Sequence, residues 1–222
     1  MARTLLSALI GVGLHSILGW AQESSSTGPI PPPPPKYDIS LKRSVMIPMR
    51  DGVTLSTDLY FPKADGEGLP VILLRTGYNK NLYRNLAGSA PYIFASQGYV
   101  VAVQDVRGTY ESFGEYLVYD NATEDGYDSV DWLAAQSWSN GNVGSFGCSY
   151  LGDMQMLNAR GRNPHLKAMI PQHTGATAGS LGGRYRGTGC INGGAFELFW
   201  LGWFRDSNTK IYYKPPSQTD AA

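Results

Sequence analysis

Short apolar runs bounded by turn residues recur along the chain from about residue 39 onward. Two of them, 39–47 and 54–61, flank a Met-Arg-Asp-Gly sequence at 49–52, whose Asp-Gly pair favours a hairpin turn. The later runs are continuous in apolar character, which is typical of strands buried on both faces of a parallel sheet. We therefore predict further strands at 71–74, 100–103, 143–146 and 166–170, the last of them ended by Pro171.

Two segments between these runs have the period of a helix. The first follows Thr123, which we expect to cap the helix, and it presents apolar residues on one face at 127, 130, 133 and 134. The second should run over 150–159 and stop near Gly161. An antiparallel pair followed by alternating strands and helices predicts an α/β fold, with a mostly parallel sheet flanked by helices.

The N-terminal 35 residues differ from this core in composition. Residues 1–21 combine Arg3, an apolar run and a small residue before Gln22, the pattern of a cleaved signal peptide. The run is shorter than the roughly 20 apolar residues that a membrane anchor needs, although an uncleaved anchor or a misassigned start is the alternative. Residues 22–35 are rich in serine and proline and predict an extended linker. We expect a secreted or periplasmic protein without membrane association after cleavage, with the α/β core at 36–173.

The segment 174–222 has a third character. Residues 174–194 are rich in glycine and show no clear period. Residues 195–204 are then apolar and aromatic almost throughout, which predicts the start of a buried helix in an added segment rather than another strand of the sheet.

The charge balance and the cysteine content limit the classes of partner and the chemistry to be expected. Eighteen basic and eighteen acidic residues balance, so nothing points to a nucleic-acid partner, and a small molecule or peptide is the substrate that remains. Cys148 and Cys190 are the two cysteines, and we expect both to be free, buried thiols rather than a disulfide. We expect neither a cofactor nor a metal, and the sequence does not determine the oligomeric state.

The chemistry is concentrated at 147–152, Gly-Cys-Ser-Tyr-Leu-Gly, between a predicted strand and a predicted helix. In a nucleophile elbow the serine occupies a sharp, strained turn, and small neighbours let the strand and the helix approach. The usual pattern is G-x-S-x-G, whereas the second glycine here is one position later, at Gly152. We predict Ser149 as the nucleophile, with a purely structural turn as the alternative. The backbone amide of Tyr150 would then begin the helix and could stabilise an oxyanion.

Several stretches together resemble the CocE/NonD family of serine hydrolases, whose core is similar to that of the Xaa-Pro dipeptidyl-peptidases. The resemblance implies an α/β-hydrolase fold, and it makes 174–222 the start of a helical cap within which the chain is truncated. The matching stretches run in the family's order at 49–55, 74–80, 98–108, 124–133, 147–152 and 192–196.

The resemblance also implies roles for individual residues. Ser149 matches the family's nucleophile. Tyr78 matches the tyrosine whose hydroxyl donates one hydrogen bond to the oxyanion, and the backbone amide of Tyr150 would donate the second. Asp105 and Arg107 match as well, and we expect each to have a structural role at the end of the strand, in an ion pair or a turn, with a part in the chemistry as the alternative. Esters, acyl amides and Xaa-Pro peptides are all substrates on this scaffold. The absence of acidic residues from 176–194 argues against the subgroup that hydrolyses α-amino acid esters.

The family's triad aspartate and histidine lie in late strands beyond the cap, so the resemblance places them after residue 222. His165 is expected to be an exposed turn residue. His173 should emerge near the elbow, as a loop histidine or with a catalytic part. We therefore expect a serine hydrolase of esters or amides that works through an acyl-serine intermediate and is nearly inactive as this chain alone. The alternative is a non-catalytic protein with a binding role or none.

Overall fold

The computed structural model describes the central part of the chain. Described in full are residues 31–64, 68–84, 86, 88–117 and 119–174; four two-residue strands between 180 and 196 are described by their backbone. The described residues from 34 onward belong to one compact unit. None of the helices described is long and apolar enough to cross a membrane. The predicted signal peptide at 1–21 and most of the predicted linker lie outside the described residues.

A six-stranded sheet forms the centre of the fold. Its strands are β1 (Ile39–Pro48), β2 (Thr54–Pro62), β3 (Leu69–Thr76), β4 (Val100–Asp105), β5 (Ser139–Cys148) and β6 (Leu166–Gln172). Their spatial order is β1-β2-β4-β3-β5-β6; β1 and β4 each pair antiparallel with β2, and the remaining pairs are parallel. The predicted α/β fold with a mostly parallel sheet is therefore confirmed.

In the described part of the chain, three α-helices pack around the sheet: α1 (Ala90–Ser96), α2 (Ala122–Ala134) and α3 (Tyr150–Arg160). The prediction for α3 is confirmed, with Gly161 as its C-terminal cap. The prediction that Thr123 caps α2 is wrong, because the helix already begins at Ala122 and Asn121 occupies the cap position in a left-handed conformation. Helix α1 was not predicted, since its seven residues are too few to show a helical period.

Strand β6 runs through Pro171 to Gln172, so the prediction that Pro171 ends this strand is wrong. Proline lacks a backbone N–H, and it is tolerated where no neighbour needs that donor. Within the described sheet β6 is an edge strand that pairs with β5 alone. Its register places Pro171 beside Gly147 and Gln172 beside Cys148, so β6 follows β5 to the start of the elbow.

The core lies on both faces of the sheet. On one face, Leu73 packs in a cluster with Val130 and Leu133 of α2. On the other, Val101 packs in a cluster with Ala95 of α1. Because both faces are covered, the central strands have no polar face, which explains their continuous apolar sequences.

The backbone beyond the sheet forms two short antiparallel pairs. Ser180–Leu181 pairs with Arg184–Tyr185, and Ile191–Asn192 pairs with Ala195–Phe196. The helix predicted to start at residue 195 is therefore wrong for its first two residues. The rest of that prediction, like Cys190, lies outside the described residues.

Candidate active site

Ser149 lies at the junction of β5 and α3, as predicted. Its backbone has φ 59° and ψ −125°, a combination that non-glycine residues rarely adopt and that is stored as strain at functional sites. Its amide donates to the carbonyl of Gln172 at 2.9 Å, and its carbonyl accepts from the amide of Asp153 at 3.0 Å. These bonds hold the turn from both sides while the serine itself is exposed.

Two glycines allow this turn to form. Gly147 has φ 154°, and a Cβ atom there would lie 2.4 Å from Cβ of Leu151 on α3. A Cβ on Gly152 would lie 2.8 Å from Cβ of Thr174. The glycine that is displaced by one position from the usual pattern therefore still meets a steric requirement, because it lets α3 pass close to the chain that leaves β6.

Tyr78 lies on the loop after β3, as predicted, and its hydroxyl is 3.5 Å from Oγ of Ser149. The backbone amide of Tyr78 donates to Oγ1 of Thr76 at 2.9 Å. Its ring packs edge-on against the ring of Tyr150, with centroids 6.1 Å apart. The loop is tightly packed here, since a Cβ on Gly77 would lie 3.2 Å from the Tyr150 ring.

Tyr150 is the first residue of α3. Its side chain is buried and stacks on Tyr119, with ring centroids 5.8 Å apart. Burial raises the pKa of its hydroxyl well above the usual value. Amides in the first turn of a helix point away from the helix body and favour a negative charge. The amide of Tyr150 and the hydroxyl of Tyr78 thus both border Ser149.

Asp105 and Arg107 have structural partners, as expected. Arg107 forms two hydrogen bonds with Asp125, at 2.5 and 3.0 Å, and an ion pair with Asp51 at 2.8 Å. Asp105 pairs with Lys80, a buried residue that the sequence analysis did not single out. The only signal for Lys80 was its position two residues after Tyr78 in a stretch that matches the family.

Two further predictions are corrected, one at the elbow and one at the opposite end of β5 and β6. Cys148 is free, as expected, but it is exposed rather than buried. His173 does emerge near the elbow, and its Nδ1 lies 3.6 Å from Sγ of Cys148. His165 is half-buried rather than exposed, because its Nδ1 forms a 2.9 Å hydrogen bond with the carbonyl of Gly141.

Ser149 has no imidazole partner within the fully described part of the chain. The hydrogen bond of its Oγ there is the one with Tyr78. In the same residues no three His, Cys, Asp or Glu side chains are grouped so that they could hold a metal ion.

A strained serine at a strand-to-helix junction of a mostly parallel sheet defines an α/β-hydrolase. Residues 51–218 match the family model of the X-Pro dipeptidyl-peptidases, the S15 family. The chain therefore belongs to that family of hydrolases, and the resemblance found in the sequence is confirmed.

The chain is similar to a curated esterase and to hydrolases whose structures have been solved. Cocaine esterase of Rhodococcus sp. is 39% identical over 167 residues, which cover 74% of this chain and 28% of that protein. A CocE/NonD family hydrolase from Staphylococcus aureus is 32% identical with a TM-score of 0.54, covering 60% of this chain and 27% of that one. An α-amino acid ester hydrolase is 30% identical with a TM-score of 0.54, over 68% and 28% respectively. The chain thus spans less than a third of the length of these relatives.

Proposed function

We propose that the protein is a serine hydrolase that cleaves an ester or amide through an acyl intermediate on Ser149. The observation that carries this proposal is the exposed, strained serine with the hydroxyl of Tyr78 at 3.5 Å. A purely structural turn gives no reason for an unfavourable backbone conformation at an exposed serine.

In this mechanism Oγ of Ser149 attacks the substrate carbonyl carbon and forms a tetrahedral oxyanion. The hydroxyl of Tyr78 and the backbone amide of Tyr150 donate hydrogen bonds to that oxygen, where the negative charge develops. The intermediate collapses with loss of an alcohol or amine, and water then releases the acid from the acyl-serine. The serine proton passes to a general base, which the family resemblance assigns to a triad histidine from strands later than those described here.

The family and the relatives support the substrate class. The family takes its description from X-Pro peptidases, and two relatives are named for ester hydrolysis. We therefore propose small acyl esters as the first substrates to test, and Xaa-Pro peptides as the second. The pattern of a signal peptide at 1–21 supports export of the protein. N-terminal sequencing of the mature protein checks this, and we expect it to start at Gln22.

Labelling with a fluorophosphonate tests the nucleophile, in the protein as its gene encodes it. The probe should add its phosphonyl mass to the peptide that contains Ser149, and Ser149→Ala should abolish both labelling and ester hydrolysis. Ser40→Ala is the matched control, because Ser40 is exposed on β1. Unlabelled wild-type protein without hydrolytic activity would favour the non-catalytic alternative.

Replacing Tyr78 tests the oxyanion donor. Tyr78→Phe keeps the ring and removes the hydroxyl, so turnover should fall about 10²–10³-fold, as for other single oxyanion donors. Tyr99→Phe is the control, since Tyr99 is exposed and packs edge-on against Phe94. An unchanged rate in Tyr78→Phe would remove Tyr78 from the site.

A further inference from the structure

The loop that carries Tyr78 is fixed on both sides of that residue. Before it, the amide of Tyr78 donates to Oγ1 of Thr76. After it, the amide of Lys80 donates to Oδ1 of Asp105 at 2.7 Å. Between these two bonds Asn79 has φ 79°, a conformation that costs energy in a residue with a side chain. The loop therefore holds a strained shape that its hydrogen bonds must maintain.

Asp105 can reach this loop because of the sheet register. It is the last residue of β4, and it lies opposite Thr76, the last residue of the parallel neighbour β3. The next residue, Val106, donates its amide to the carbonyl of Thr76 at 2.9 Å. The end of β4 thus anchors the start of the Tyr78 loop through its backbone and the end of the loop through the carboxylate of Asp105.

The charge of Asp105 is balanced by Lys80 inside the protein. Both side chains are fully buried, and Nζ of Lys80 lies 3.5 Å from Oδ2 of Asp105. That oxygen accepts no hydrogen bond within the described residues, so the ammonium group is its compensation there. Burial accordingly raises the pKa of Asp105 to about 6. A buried charge is costly unless it is paired, so the carboxylate keeps Lys80 in place.

Glu111 holds the other side of Lys80. Its Oε2 accepts from Nζ of Lys80 at 2.5 Å, and its Oε1 accepts from the side chain of Asn81 at 3.2 Å. Partial burial alone would raise the pKa of Glu111, but hydrogen bonds from Lys80, Ser44 and Asn81 outweigh it and lower the pKa to about 2. Lys80 is therefore held between two carboxylates, two residues beyond Tyr78.

We propose that Asp105 and Lys80 are positioning residues for the oxyanion donor, because together they hold the strained loop that places the Tyr78 hydroxyl beside Ser149. This inference rests on the proposed function. It assigns no contact with substrate to either residue, since both act through Tyr78.

A double-mutant cycle tests this role in the protein as its gene encodes it. Asp105→Asn should lower turnover about 10-fold to 10²-fold with little change in KM, since misplacing a catalytic group by about 1 Å costs up to that much. In a Tyr78→Phe background the same substitution should cost less than about threefold, because the donor that Asp105 positions is already gone. Asp128→Asn is the matched control: this carboxylate pairs with Arg50, away from the Tyr78 loop.

Three further variants keep the test decisive if Asp105→Asn does not fold. Glu111→Gln acts at a side chain that is 38% exposed and should lower turnover in the same non-additive way. Lys80→Arg retains the charge and should keep more activity than Lys80→Met.

The outcomes separate this inference from the proposed function. Equal losses in the wild-type and Tyr78→Phe backgrounds would show that these residues support the fold alone and would overturn the positioning role. Failure of the wild-type protein to react at Ser149 would instead remove the proposed function, and the positioning role with it.

Discussion

Substituting Gly147 by alanine would directly perturb the elbow. A Cβ atom at this position would lie 2.4 Å from Cβ of Leu151 and 3.0 Å from its Cδ2. Cβ of Leu151 is attached to the backbone of α3, so it cannot rotate away from the new methyl group. Relief therefore requires α3 to move away from β5, which would displace Ser149 between them.

The expected loss in the free energy of unfolding has two contributions. A side chain at φ 154° costs about 1–3 kcal/mol in backbone strain. Forcing an extra methyl group into a packed site costs about 1–3 kcal/mol more. The free energy of unfolding should thus fall by about 2–6 kcal/mol. With a urea dependence of about 2 kcal/mol per M, the unfolding midpoint should fall by about 1–3 M.

Urea unfolding followed by circular dichroism measures this change, and two alanine controls separate its causes. Gly144→Ala lies in the same strand, where the nearest atom to a new Cβ is 3.6 Å away, so it should be nearly neutral. Gly52 has φ 86° and open space around it, so Gly52→Ala should show the backbone strain without the clash. If Gly147→Ala unfolds at the same urea concentration as Gly144→Ala, the steric account of the elbow is wrong.

Three further predictions concern charges and the exposed thiol. Arg107→Met removes two hydrogen bonds from the buried carboxylate of Asp125 and leaves it paired with Arg75 at 3.9 Å, so the free energy of unfolding should fall by at most about 3–5 kcal/mol. Arg50→Met breaks an exposed ion pair and should have little effect; similar losses would contradict this ranking. Because the pKa of Glu111 is lowered from 4.5 to about 2, its stabilisation is full above pH 4.5 and is lost as the pH falls through 2. Glu111→Gln should flatten the dependence of the free energy of unfolding on pH in that window. Asp105 has its pKa raised from 3.8 to about 6, so its contribution to the free energy of unfolding falls as the pH rises between those values. N-ethylmaleimide should modify Cys148 in the native protein, and peptide mapping that finds this thiol protected would show that it is covered.

The sequence by itself predicted most strands of the sheet, two of the described helices and the strand-to-helix turn at Ser149. Strands buried on both faces must be apolar throughout, so the strands at 71–74 and 100–103 could be predicted from their continuous apolar runs. The elbow could also be predicted, because its two glycines and Ser149 lie within six residues, 147–152, at the junction of a predicted strand and a predicted helix. These features depend on interactions between residues close in the chain.

The strand order was decided by tertiary structure. Strand β3 lies between β4 and β5, although it precedes both in the chain. Pro171 stays within a strand because β6 lies at the edge of the described sheet. Neither fact has a local signature, since each depends on which strand is the neighbour.

The same holds for the residues that surround Ser149. Tyr78 and Ser149 are 71 residues apart in the chain, and only the family resemblance connected them before the structure did. They meet because β3 and β5 are parallel neighbours whose carboxyl ends reach the same edge of the sheet. The buried pair of Lys80 and Asp105 arises in the same way, from the alignment of β3 with β4. A charged residue in a sequence predicts exposure. Its burial is possible only where an oppositely charged partner on a neighbouring strand offsets the cost of removing the charge from water.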